Sequence, residues 1–210
     1  MGIFAATLHA QDANGLYRSL PEALKEPEKV TVILLDHVKM DTLPDEINRL
    51  KNLQTLLLNR NELTHLPNSI VELKNLRAIY IGGSPKLNFH DVVETLAKLP
   101  RLEGVGLDDN DMGQVPDNIG LLVNCHRLGL SSNRLTGLPA SLSKLQKLES
   151  LDLYNNQITR FPYEIKLPQL KKLFVKDSGL SEHEIQRIKQ AMPAVEINAE
   201  VPRELYLQLK

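Results

Sequence analysis

The chain of 210 residues has a single cysteine, Cys125. No disulfide can form within it, so the bridge-closed ends of many extracellular eukaryotic repeat proteins are excluded. Positive charge is not in excess: 25 Lys and Arg stand against 26 Asp and Glu, for a net charge of −1. That balance argues against nucleic-acid binding driven by phosphate attraction. No run of 18 or more apolar residues is present, so no stretch is suited to cross a bilayer as a helix. The six histidines are scattered at 9, 37, 65, 90, 126 and 183. None makes a His-x-x-x-His pair, and Cys-x-x-Cys is missing, so the common metal motifs are absent. Asp108-Asp109-Asn110-Asp111 lacks the Gly and the Glu that an EF-hand loop needs in register. No cofactor and no catalytic residue are expected.

What the chain does contain is enough apolar sequence for a core: 42% apolar and 24% charged residues mark a globular protein. The stretch Leu53-Gln-Thr-Leu56-Leu-Leu58-Asn-Arg-Asn61-Glu-Leu63 reads L-x-x-L-x-L-x-x-N-x-L. Leu56 and Leu58 flank Leu57, so on a strand they share one face, which points into a core. Asn61 falls where the chain leaves the strand. Its amide can satisfy backbone groups of neighbouring turns and build an asparagine ladder. Pro67 then stops the strand, and Ile70, Leu73 and Leu76 return at a spacing of three to bury the opposite side.

This unit recurs. Val30, Leu53, Leu76, Leu102, Cys125, Leu148, Leu170 and Met192 each open a copy. The period is near-constant at about 23 residues, as expected when each copy is one supersecondary unit. Cys125 thus takes a core leucine position and is expected buried and inert rather than nucleophilic. The ladder column reads Val38, Asn61, Ser84, Asn110, Asn133, Asn156 and Ser178, so the first copy departs from the pattern. The third copy carries three extra residues, which predict a true helix over Asp91–Leu99 ending before Pro100. Ser19 with Glu22, and Ser181 with Glu184, fit capping boxes of two terminal helices. The second of these is predicted over about 182–192, followed by an edge strand at Val195–Ile197.

The resulting division is 1–15, an N-terminal arm or the tail of a secretory signal peptide cut after Ala10; 16–29, an N-terminal cap helix lacking a strand of its own; 30–180, the repeats; and 181–210, a C-terminal cap helix, edge strand and tail. The expected fold is α/β: a right-handed solenoid, or horseshoe, with a parallel concave β-sheet of about eight strand units. Its convex side is made of short helices, 3-10 turns and loops.

L-P-x-x-I/L combined with LxxLxLxxNxL at this period resembles the Ras-suppressor-like class of leucine-rich-repeat proteins. Ala23–Val30 and Ser181–Pro193 are similar to the opening and closing segments of secreted bacterial members. The resemblance covers residues 16–197. It implies a non-enzymatic module that binds another protein and works in a secreted, periplasmic or cell-surface setting. The alternatives are a cytosolic, cytoplasmic scaffold for a small GTPase and a glycan-binding surface protein using Tyr80, Tyr154 and Asp108–Asp109.

Solenoids generally bind through the concave face. Its columns, read down the repeats, are Val32, Thr55, Ala78, Gly104, Arg127, Ser150 and Lys172; Leu34, Leu57, Tyr80, Gly106, Gly129, Asp152 and Phe174; Asp36, Asn59, Gly82, Asp108, Ser131, Tyr154 and Lys176; and His37, Arg60, Gly83, Asp109, Ser132, Asn155 and Asp177. Leu57, Tyr80 and Phe174 are expected exposed there, flanked by Arg60 and Arg127, as at an interface. Gly106 and Gly129 are expected to lower the floor for a partner backbone. Asp108, Asp109, Asp152 and Tyr154 complete the candidate surface. The partner is expected to be a protein met by a monomer, with no nucleic acid and no membrane span.

Overall fold

The computed structural model describes residues 15–198, Tyr163 excepted. Nine short strands line up in chain order in one parallel sheet: β1 (Leu16–Tyr17), β2 (Val32–Leu34), β3 (Thr55–Leu57), β4 (Ala78–Tyr80), β5 (Gly104–Gly106), β6 (Arg127–Gly129), β7 (Ser150–Asp152), β8 (Lys172–Phe174) and β9 (Glu196–Asn198). The register repeats unit by unit, so Ile33, Leu56, Ile79, Val105, Leu128, Leu151, Leu173 and Ile197 stand side by side. The eight expected strand units are β2–β9. The N-terminal cap differs from expectation, because β1 supplies it with a strand, paired to β2 through Leu16–Val32 and Tyr17–Ile33.

Alternation on three-residue strands sends Leu56 and Leu58 inward, and both are fully buried. One apolar cluster runs from Leu20 to Ile188 through every unit. Opposite the sheet, Pro44, Pro67, Pro116 and Pro139 end extended chain and begin 3-10 turns at 45–49, 68–72, 117–121 and 140–144. Ile47, Ile70, Ile119 and Leu142 point from these turns into the core. In the longer third unit, α2 (Phe89–Leu96) replaces the turn and buries Val92, Val93 and Leu96. The helices α1 (Leu20–Ala23) and α3 (Glu182–Ala191) close the ends. Ser19 accepts the N–H of Glu22 at 3.4 Å, and Ser181 that of Glu184 at 3.2 Å. The possible signal-peptide segment and the tail beyond 198 lie outside the described residues. No helix of the described residues is long and apolar enough to cross a membrane.

Candidate interaction surface

The asparagine ladder forms as the spacing predicts. Asn61 Nδ2 donates to the carbonyls of Leu35 and Leu58, both at 2.8 Å, and its Oδ1 accepts from Met40 N. Asn133 donates to Leu107, Leu130 and Ser131, and accepts from the N–H groups of Asn110 and Met112. Each buried amide therefore ties its own turn to that of the preceding unit. Val38 offers nothing to this ladder and is 48% exposed.

A second ladder runs along the concave side, and the sequence reading missed it. Asp36 Oδ1 accepts the N–H of Asn59 at 2.7 Å, and Asn59 Oδ1 accepts that of Gly82 at 2.8 Å. Asp108 Oδ1 accepts from both the N–H and the hydroxyl of Ser131, each at 2.8 Å. In the adjacent column, Asp152 Oδ1 accepts from Tyr154 N of its own unit at 2.9 Å. The signal was available: a column of Asp, Asn and Ser at one repeat position, where side-chain acceptors suit backbone donors. Burial raises the Asp36 and Asp108 carboxyls above the ordinary carboxylate value, against the lowering effect of these hydrogen bonds.

The next column is conformational. His37, Arg60, Asp109, Ser132, Asn155 and Asp177 all have φ between 51 and 59°, and Gly83 has 68°. Each of the seven units from β2 to β8 places a left-handed residue at this position, and only the third of them uses glycine for it. This turn aims Arg60 and Asp109 into solvent, where both are exposed.

The expectation of exposed apolar anchors is corrected. Leu57, Tyr80 and Phe174 are 6%, 7% and 4% exposed, and Asp152 is fully buried. Neighbouring parallel strands lie about 4.8 Å apart, so side chains in one column touch their lateral neighbours. Leu57, Ala78 and Tyr80 form an apolar cluster of their own on this face, with Val32 and Leu34 packed against it. The low floor at Gly106 is occupied too. A Cβ there would stand 2.6 Å from Tyr80 Cδ1, so the glycine makes room for the tyrosine ring rather than for a partner backbone. Gly129 is buried beside it in register. Asp108 is likewise a buried rung and not a surface carboxylate, which takes Tyr80 and Asp108 away from the glycan alternative. Burial pushes the Tyr80 hydroxyl up to about 12. Of the expected residues, Arg60, Asp109 and Arg127 stand exposed and Tyr154 half-buried around this packed floor.

Other candidate chemistry disperses. Cys125 is 1% exposed, its Sγ donates to the carbonyl of Arg127, and burial raises the thiol to about 12. In the acidic run, Asp111 pairs with Arg134 at 2.5 Å, while the buried Asn110 faces the ladder. Among the described residues, no group of three or more His, Cys, Asp or Glu is placed to hold a metal.

A family model for a leucine-rich repeat region matches residues 32–117, and one for two copies of leucine-rich repeats matches 123–164. No curated protein matches the sequence significantly. Among solved structures, a leucine-rich-repeat protein of Leptospira interrogans aligns at 29% identity with a TM-score of 0.57, over 81% of this chain and 55% of that one. The plant peptide hormone receptor RGFR1, solved in complex with RGF2, aligns at 27% identity and a TM-score of 0.54, over 76% of this chain and 26% of that one. The Drosophila Toll–Spatzle complex offers a likeness of fold alone, at 23% identity and a TM-score of 0.60, over 75% of this chain and 22% of that one. The chain thus spans about half the length of the first and about a quarter of the others.

Proposed function

Because the chain is a leucine-rich-repeat protein, we propose that it is a non-enzymatic module which binds a protein partner on its concave face. The observation that carries this reading is the unbroken nine-strand sheet, with Arg60, Asp109, Arg127 and Tyr154 standing around a packed apolar floor. The floor supplies rigidity, and the exposed groups supply contact. Arg127 combines a charge near the Tyr80 hydroxyl with a long apolar stem, the composition favoured at interface centres. Arg60 and Asp109 are opposite charges on equivalent turns two units apart, suited to steering a partner of matching charge.

The test is a partner captured from the native host by the immobilised chain and then measured with variants. Arg127→Ala should weaken it by roughly 2 kcal/mol, about thirtyfold, at an unchanged melting temperature. Arg60→Ala and Asp109→Ala should mainly alter on-rate and salt dependence. Normal binding by all three variants, with loss of binding on changing Asp91 or Lys98 of the convex side, would move the site to the irregular third unit. A setting outside the cytoplasm belongs to the same proposal. It is supported by the apolar Ile3–Ala6 ahead of Gln11, and N-terminal sequencing of the native protein from fractionated host cells tests it.

A further inference from the structure

Two aliphatic side chains interrupt the polar outer edge of the solenoid. Leu121 and Val123 are 47% and 54% exposed, and among the described residues Val38 is the one other large apolar side chain so exposed. They flank the core residue Leu122, where the turn 117–121 ends and the chain heads for β6. The equivalent neighbours are Arg49 and Lys51 around Leu50, and Glu72 and Lys74 around Leu73. Neither Leu121 nor Val123 belongs to the core cluster.

The surroundings are cationic. The turn 117–121 packs between α2 and the turn 140–144. Lys98 and Arg101 follow α2, and Lys144 and Lys147 stand on the other side. All four are exposed, and none is in an ion pair among the described residues. The stem of Lys144 lies against Gly120, where a Cβ would stand 2.9 Å from its Cδ. Lys147 Nζ donates to Asn124 Oδ1 at 2.8 Å, and Arg101 Nη1 to Asn75 Oδ1 at 2.7 Å. Both charges thus rest on neutral amides and stay uncompensated. The carboxylates nearby are engaged or distant: Glu72 pairs with Lys51, Glu94 lies 3.8 Å from His90, and Asp117 begins its turn at the far end from Leu121. A net charge of −1 therefore conceals a basic edge with an aliphatic centre.

Area and charge select the occupant. A stable protein contact takes roughly 800 Å² from each partner, more than two half-exposed side chains supply. A bilayer takes up aliphatic groups singly, and each lysine held at an anionic surface adds about fivefold in affinity. Bare phosphate attraction, as on a nucleic acid, would leave Leu121 and Val123 without a role. We propose that this edge docks reversibly on an anionic phospholipid bilayer, with Leu121 and Val123 entering the interface and Lys98, Arg101, Lys144 and Lys147 at the lipid phosphates. The concave face stays open to its own partner, so the two proposals stand or fall separately.

Co-sedimentation with vesicles of equimolar phosphatidylglycerol and phosphatidylcholine tests this. The chain should bind these vesicles and not those of phosphatidylcholine alone. Most of it should be released at about 1 M salt, where charges are screened beyond about 3 Å. Lys144→Gln and Lys147→Gln should each weaken binding about fivefold. Leu121→Ser combined with Val123→Ser should weaken it roughly tenfold. These side chains are exposed, so the melting temperature should not change. In the wild-type chain, a spin-labelled lipid should broaden the methyl resonances of Leu121 and Val123 and leave those of Val32 and Leu34 on the concave face sharp, a readout that needs no variant. The proposal is overturned if anionic vesicles are not bound, if neutral vesicles bind equally well, if the double serine variant binds like the wild type, or if the concave methyl groups broaden instead. Binding of duplex DNA or of polyglutamate without any binding of vesicles would assign the edge to a polyanion and also overturn it.

Discussion

Asp108 shows how a surface-looking residue becomes a structural one. Its carboxylate satisfies the Ser131 N–H and hydroxyl, but the charge itself is held out of water. The folded pKa is raised, so between the ordinary value and the raised one the folded state holds a proton that the unfolded chain has lost. Stability therefore falls as pH rises through that window and stays at the lower level above it. Asp108→Asn keeps an acceptor and removes the charge, so it should leave stability at pH 7 equal or higher and weaken this pH dependence, leaving the share of Asp36, whose carboxyl is raised in the same direction. Asp108→Ala should cost about 1–3 kcal/mol by orphaning the Ser131 donors. Urea titrations at pH 4, 5 and 7 separate the cases, and a loss of stability in the Asn variant would show that the charge itself stabilises. The left-handed column gives a second residue-scale expectation. Gly83→Ala should cost about 1–2 kcal/mol from its φ alone, with a further clash because its Cβ would stand 3.0 Å from Arg60 Cα. Ser132→Gly, at φ 53°, should be neutral or stabilising by melting temperature.

At the scale of the element, each strand is too short to stand alone. Its inward side chain packs within the core, and its outward ones pack on the strands beside it. Leu128 is fully buried in β6, and Leu128→Ala should cost about 2–5 kcal/mol in chemical denaturation. A cost below about 1 kcal/mol would contradict the inward orientation. Tyr80 is the outward counterpart. Its ring lies on Gly106 of the next strand, so Tyr80→Ala should also destabilise, by about 1–3 kcal/mol, rather than act on binding alone. The helices at the ends follow a different logic. Glu184 sits where a capping box needs it, yet its side chain reaches Phe161 in the preceding unit and Arg187 one turn along, instead of its own helix start.

On the scale of the whole molecule, one apolar cluster passes through every unit, so neighbouring units share side chains at each boundary. Such an array is held by nearest-neighbour interfaces, and a short, uninterrupted one unfolds together. Cys125 provides an internal reporter near the middle. Its thiol should react with an aromatic disulfide reagent only on global unfolding, with the same urea midpoint as the loss of circular dichroism. Two separate transitions, or rapid labelling of the native chain, would show that the array opens in parts.

The repeat period, the inward leucines, the asparagine ladder and the positions of α2 and α3 were legible from the chain itself. They arise from spacings within one unit: strand alternation, a proline that ends extended structure, a serine that caps a helix. The surface was not legible in the same way. Whether Tyr80 is wet depends on Gly106 of the following unit, and whether Asp108 is free depends on Ser131, again one unit further on. Those pairs meet only when adjacent strands come within about 4.8 Å of one another. The same holds for β1, which is too short to signal itself and exists because β2 offers an edge, and for the Glu184–Arg187 clamp on Phe161. A local pattern decides which way a side chain points, but what it meets there is decided by the neighbouring coil of the solenoid.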